Sequence, residues 1–159
     1  MILLAGGIPL IYLGDEIGML NEYSYRDDPT HQQDSRWVHR PKANWERYAC
    51  RNAPDTIEGR VFRGLKGLIE LRKGYAAFSG GELEIIPTEN EHVLGFTRIN
   101  GTDRTIIFAN FSESSQTIPA HVLENHPFQG ETPVHGPSTF SSGQALQIAP
   151  LEFLVFIAT

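Results

Sequence analysis

Two groups of polar residues in this sequence have types and spacing that could do chemistry. The first closes the segment Gly7-Ile-Pro-Leu-Ile-Tyr-Leu-Gly14-Asp15-Glu16-Ile17-Gly18. Paired acids can serve as general acid and base when both reach one bond. Asp15 and Glu16 are neighbours, however, and neighbours on a strand point to opposite faces. Their expected roles, with Gly14, are structural: they satisfy loop amides or nearby cations where the apolar run ends. The second group is Gln33-Asp34-Ser35-Arg36-Trp37-Val38-His39-Arg40-Pro41. Arg36 offers a planar fork of donors that suits a carboxylate or sugar hydroxyls. Asp34, two residues away, braces the loop, and a plain surface arginine held by Asp34 is the competing reading. Trp37 either supports that loop from beneath or packs in a core. Asp27 and Asp28 lie in a polar stretch and are expected to be solvated.

Other chemistries find little support. The six histidines, His31, His39, His92, His121, His126 and His135, form no HxxxH or Cys/His cluster, so no metal site is expected. There is no Gly-x-Ser-x-Gly elbow and no phosphate-cradling glycine loop, so no cofactor is expected. Cys50 is the single cysteine and can form no internal disulfide. Asn110-Phe-Ser and Asn100-Gly-Thr fit the N-glycosylation pattern, although Asn100-Gly101 also reads as a hairpin turn.

The elements that must position these groups fall into two halves. Ile8–Leu13 is a short continuous apolar run, as expected of a strand buried on both faces, with Pro9 at its start. A long polar stretch, 21–41, follows. A helix is predicted over Thr56–Lys73, with Asp55 as N-cap and Glu58 completing a capping box. Val61, Phe62, Leu65, Leu68 and Ile69 form its apolar stripe, and Gly74 stops it. A shorter helix is predicted over Asn44–Arg51. All tyrosines and both tryptophans lie at or before Tyr75. Beyond it, strands are predicted over Glu82–Ile86, His92–Ile99, Thr105–Asn110, Ala145–Ile148 and Phe153–Ile157. Turns are expected at Asn90-Glu91 and Asn100-Gly101. The stretch 112–144, rich in Ser, Pro, Gly and His, predicts at most one or two weak strands. A domain boundary is placed near Phe78-Ser79-Gly80-Gly81.

The 159 residues have 40% hydrophobic and 20% charged content, ordinary for a globular chain. The net charge of −6 is uneven. Residues 1–75 hold 11 Lys/Arg and 10 Asp/Glu, whereas residues 76–159 hold only Arg98 and Arg104 against 9 acids. Without a basic patch, nucleic acid and anionic membranes are unexpected partners. Met1–Ala5 lacks the charged start of a signal peptide, and the apolar run stops too early to span a bilayer. Localisation, cytoplasmic or secreted bacterial, stays open.

The segment Gly7–Gly18 resembles the eighth barrel strand of the α-amylase superfamily, whose pattern is Gly-x-Pro-x-x-x-x-Gly-[Asp/Glu]-Glu. The stretch 33–41 resembles the Asp-Ser-Arg-Trp-x-His-Arg-Pro stretch of amylosucrases, and the Arg-Thr-Pro-Met-Gln-Trp stretch of related α-glucosidases and trehalose synthases is absent. Arg51-Asn52, Leu68-Ile69-Glu70-Leu71-Arg72-Lys73 and Leu146-Gln-Ile-Ala-Pro150-Leu-Glu-Phe153 also resemble that family. The resemblance implies an α+β fragment. Residues 1–78 would be the last strand, loop and helix of a (β/α)8 (TIM) barrel. Residues 79–159 would be an antiparallel β-sandwich C-terminal domain. It implies a parent that cleaves sucrose and transfers glucose to a glucan or to water by a retaining mechanism, with sucrose or α-glucan as substrate. The carboxylates of that mechanism would come from earlier barrel strands, so no catalytic residue is expected in this chain and the chain alone should be inactive. Arg36 would pair with an acid from another barrel loop and close the glucosyl pocket. An exposed barrel strand would invite self-association. The alternative is a non-catalytic structural or carbohydrate-binding β-sandwich module, weakened by the lack of Trp and Tyr after residue 75.

Overall fold

A computed structural model describes residues 1–126, 133–136 and 143–158. The chain divides into two compact units. One is Ile8–Leu71; the other joins Met1–Gly7 to the chain from Arg72 onward.

The Ile8–Leu71 unit contains no strand. It is built from 3-10 turns at Asp15–Ile17, Ser24–Asp27, Ser35–His39 and Cys50–Asn52, a short helix α1 (Trp45–Ala49), and most of helix α2 (Ile57–Gly74). The expected strand at Ile8–Leu13 is therefore corrected. Ile8 is 99% and Leu10 79% exposed, and the segment joins no β ladder. A strand buried on both faces needs a ladder neighbour on each side. Among the described residues none lies alongside, so the run stays irregular.

Side chains set the helix starts. Asn44 Oδ1 accepts from the Arg47 amide at 3.1 Å and caps α1. The start of α2 corrects the predicted capping box by one residue. Thr56 Oγ1, rather than Asp55, accepts from the Gly59 amide at 3.0 Å. Glu58 does not reach back to the cap; it accepts from Arg47 Nε at 2.6 Å, while Arg47 Nη2 donates to the Gly18 carbonyl at 3.2 Å. Gly59 is buried against the preceding turn, where an added Cβ would lie 1.8 Å from the Ala53 carbonyl oxygen. The stripe Val61, Phe62, Leu65, Leu68 and Ile69 is half-buried throughout.

The other unit is a β structure. Strands β1 (Glu82–Ile86), β2 (Val93–Asn100), β3 (Asp103–Asn110) and β6 (Phe153–Ala158) form an antiparallel sheet in the order β1-β2-β3-β6. Strands β4 (Gln116–Ile118) and β5 (Leu146–Ile148) form a two-stranded antiparallel sheet, and a short helix α3 (Ala120–Glu124) follows β4. Among the described residues the second layer is two strands and a helical turn rather than a full second sheet. Alternation along the strands assigns the faces. Ile86, Ile106, Phe108, Leu154 and Phe156 share a core with Ile118, Leu146 and Ile148 from the small sheet and Val122 and Leu123 from α3. The other face carries the buried Phe96, Ile107 and Val155. The 3-10 turn Ala76–Phe78 packs there on β2 and β3, with Ala77 and Phe78 fully buried. Met1–Ala5 forms a turn in which Leu3 and Leu4 are buried, and Arg72 donates to the Leu3 and Gly7 carbonyls at 2.5 and 2.8 Å.

The predicted strands in this unit correspond to β1, β2, β3, β5 and β6 to within two residues. The first hairpin closes through residues 87–92 with Glu89 at φ +56°. The second closes through Gly101-Thr102, with Gly101 at φ +62°. Within 112–144, β4 and α3 are resolved, while residues 127–132 and 137–142 lie outside the described ones. No helix among the described residues is long and apolar enough to cross a membrane.

Asn110 joins the two sheets. Its Nδ2 donates to the carbonyls of Ser114 at 2.7 Å and Ala149 at 2.9 Å. Its Oδ1 accepts from the amide and hydroxyl of Ser112 at 2.8 and 2.7 Å. With 3% exposure, this side chain is inaccessible to glycosylation in the folded chain. Replacing Asn110 by Ala strips partners from buried backbone groups. The expected outcome in urea unfolding is a loss of about 2 kcal/mol of stability with an unchanged m-value.

Candidate functional site

The stretch 21–41 is folded despite its polarity, and short side-chain caps hold it. The Glu22 amide donates to the Val38 carbonyl at 2.8 Å, closing the base of the loop. His39 Nδ1 lies 3.1 Å from Asn21 Oδ1 beside it. Glu22 Oε1 accepts from the Ser24 amide at 2.8 Å and starts the first turn. Asp28 Oδ1 accepts from the Thr30 amide and hydroxyl at 2.8 and 2.6 Å, and its Oδ2 meets His31 Nδ1 at 2.8 Å. Asp34 Oδ1 accepts from the Arg36 amide at 3.0 Å and starts the turn Ser35–His39. Asp and Glu suit these positions because their oxygens satisfy amides that the short turns leave open.

Arg36 is bound side-on to Asp34. Nε meets Oδ1 and Nη2 meets Oδ2, both at 2.8 Å. The Arg36 side chain is nonetheless 75% exposed, and its pairing with Asp34 uses Nε and Nη2 but not Nη1. The structure thus brings Asp34 and Arg36 together as one rigid fork. Hydrogen bonds from Arg36, above all from its side chain, hold the Asp34 carboxyl down from 3.8 to about 2. Arg36 is pushed above its ordinary value by the same pairing.

Asp15 and Glu16 sit in a 3-10 turn rather than at a strand end. Asp15 Oδ2 accepts from the Tyr12 amide at 3.0 Å, and Glu16 Oε2 accepts from the Gly14 amide at 2.7 Å. Gly14 turns at φ +104° between them. Burial, and then the negative charge of Glu16, push the phenol of Tyr48 upward. Asp27 is exposed. Asp28 is not freely solvated: the hydroxyl and amide of Thr30, with a smaller part from His31, hold its pKa below the usual carboxylate range.

Trp37 is half-buried and packs against residues of its own loop. It lines a cleft of about 380 Å³ together with Glu22, Tyr25, Asp28, His31 and Arg40. The His31 and Trp37 rings lie 3.8 Å apart between centroids, and Arg40 sits over Trp37 at 5.5 Å. Arg36 is not among the residues lining this cleft. Sequence reasoning missed His31, Tyr25 and Arg40. The one local signal was the i,i+3 spacing of Asp28 and His31. Among the described residues no group of three or more His, Cys, Asp and Glu could hold a metal ion.

No protein-family model matches the chain. Solved structures do. The trehalulose synthase MutB from Pseudomonas mesoacidophila MX-45 aligns over 99% of this chain and 37% of its own, at 18% identity and TM-score 0.67. Variants of MutB bound to glucose and to its substrate sucrose align over the same shares at TM-score 0.64. The isomaltulose synthase PalI from Klebsiella sp. LX3 aligns over 79% of this chain and 21% of its own, at 20% identity and TM-score 0.53. AmyP in complex with maltose covers 65% and 21%, at 19% identity and TM-score 0.52. The chain shares its fold with part of these trehalulose synthase, isomaltulose synthase and AmyP structures. These neighbours agree with the resemblance read from its motifs in the antiparallel sheet and in the partial coverage of longer chains, and not in a barrel strand at Ile8–Leu13. The chain spans little more than a third of the MutB chains it matches.

The Asp34–Arg36 fork makes a pH prediction. A depressed folded-state pKa means that the pairing contributes fully above the ordinary aspartate value and is lost as pH falls through about 2. The Asp34 carboxyl carbon, followed by NMR, should titrate with a midpoint near 2, and Arg36→Ala should return it toward about 3.9. An unshifted Asp34 in the native chain would rule out the fork in solution.

Proposed function

We propose that this chain is the C-terminal part of an amylosucrase-like enzyme of the α-amylase superfamily that acts on sucrose or an α-glucan through a retaining mechanism. The observation that carries this reading is the fold likeness to trehalulose synthase over 99% of the chain. The loop 33–41, with its amylosucrase-like sequence, agrees with it. Asp15 and Glu16 offer no substitute acid pair. Asp15 and Glu16 are both engaged with amides of their own turn. A retaining enzyme needs two carboxyl groups about 5–5.5 Å apart across one glycosidic bond, and in this reading they come from chain preceding Met1.

In the parent enzyme Arg36 is the substrate-site residue. Asp34 fixes the plane of its guanidinium and leaves Nη1 to meet a sugar hydroxyl or the carboxylate of another loop. Gly14, Asp15 and Glu16 shape the turn after Ile8–Leu13. That segment then gains the ladder neighbours it lacks here. Without them its apolar side chains are free to pair with a second copy of the chain.

The purified chain should release neither glucose nor fructose from sucrose, and release scaling with its concentration would refute the reading. In a longer protein that includes the preceding segments, Arg36→Ala should lower kcat/KM for sucrose by about 10- to 100-fold, the worth of one charged hydrogen bond, with the fold intact. An unchanged kcat/KM would remove Arg36 from the site. Sedimentation of the isolated chain should show concentration-dependent association, which Ile8→Lys with Leu10→Lys should abolish.

A further inference from the structure

We infer that residues 133–136 act as a pH-sensitive strap over the outer edge of β6, latched by the ring of His135 against Phe153. In the four-stranded sheet β6 pairs only with β3, so its other edge needs a partner. The strap supplies it. The Val134 amide donates to the Val155 carbonyl at 2.8 Å, and the Val155 amide donates to the His135 carbonyl at 3.0 Å. His135 and Val155 thus form an antiparallel bridge outside the named strands. Two backbone bonds contribute little net stability against the entropy of fixing four residues. Side-chain packing must supply the rest. Pro133 is buried, and Gly136 turns at φ +105° so close to β6 that an added Cβ would lie 2.8 Å from the Phe153 carbonyl oxygen. Between them the His135 ring stacks on Phe153, 4.4 Å between centroids and 18° from parallel.

His135 is the strap's titratable side chain. Directly paired residues share a face of the sheet. The ring therefore lies on the face of Val155, with Phe153 along β6 and Ile107 and Ala109 opposite them on β3. These four side chains carry neither charge nor hydrogen-bond acceptor. Glu152, at the start of β6, accepts from the Ala149 amide at 2.7 Å. Burial pushes the His135 ring below its ordinary value of 6.5. A depressed value in the latched state means that the latch contributes fully above 6.5 and is lost as pH falls through the lower, latched value. Release bares the N–H and C=O of Val155, an open edge onto which another strand can pair.

The test is amide hydrogen exchange of the 15N-labelled full chain between about pH 8 and about pH 5, with the His135 ring followed by NMR over the same range. The Val155 protection factor should fall as the ring protonates, by tenfold for each pH unit that the ring's midpoint lies below 6.5. Amides of the β2–β3 ladder should stay protected. His135→Phe keeps an aromatic ring on Phe153 and removes the proton, so Val155 should be equally protected at both ends of the range. His135→Ala removes the stack and should lower Val155 protection already at pH 8. His126, the other histidine that burial lowers, feels the charges of Arg104 and Glu84. The Val155 response should therefore persist in a His126→Gln chain. Constant Val155 protection while His135 protonates would overturn the inference. So would a ring midpoint at or above 6.5 with protection rising on acidification, which would mean that cation–π attraction to Phe153 strengthens the latch. A pH response retained in His135→Phe, lost in His126→Gln, or spread over the whole sheet would overturn it as well.

Discussion

Backbone amides that a fold leaves open must find acceptors, and in the Ile8–Leu71 unit carboxylates supply them. Asp15, Glu16, Glu22, Asp28 and Asp34 each accept from a main-chain amide within three residues. This one demand explains how the unit is built. It has no ladder, and its longest apolar stripe, on α2, is only half-buried. Order therefore comes from a series of capped turns. A carboxylate occupied by a backbone amide is aimed at its own turn, and for Glu22, Asp28 and Asp34 these bonds also lower the pKa, which is the opposite of what a general acid requires.

Arg36 shows how such a turn can still present a functional group. A lone arginine on a loop would lose much side-chain freedom on meeting a substrate. Asp34 removes that freedom beforehand, with two parallel bonds at 2.8 Å. The same bonds compete with any incoming carboxylate for Nε and Nη2. What remains for recognition is Nη1 and the fixed orientation of the plane. The pairing therefore favours positioning over raw attraction, as with other exposed ion pairs, where solvent screens most of the Coulombic gain.

Different parts of the structure were legible in the sequence to different degrees, because their causes act at different range. The hairpin strands followed from alternation and from Asn100-Gly101. The long helix followed from its stripe and from Gly74. Its start moved by one residue because the Thr56 hydroxyl sits beside the open amide of Gly59, a detail of geometry that composition does not encode. Strand β4 and helix α3 span three and five residues, too few for periodicity to mark them within a Ser- and Pro-rich stretch. The fork of Asp34 and Arg36 could be read from spacing alone, since both partners lie in one turn. The cleft could not. Glu22, His31, Trp37 and Arg40 converge only after the intervening turns have closed on the Glu22–Val38 bond.

Range also separates what carries over to a longer protein from what does not. The contacts that shape the Asp34–Arg36 fork and most of those that shape the cleft join residues within six positions of each other. Such contacts close small loops at little entropic cost and do not depend on distant partners. Ile8–Leu13 is the opposite case. Its sequence suits a strand, but the strand state exists only as part of a ladder, and the ladder requires other chain segments. Preceding barrel strands would therefore change the conformation of Ile8–Leu13 first, and would leave the fork and the cleft close to the geometry described. In the proposed parent, a loop with locally determined geometry after a segment with non-locally determined geometry would suit a barrel's active-site face, where rigid strands present variable loops.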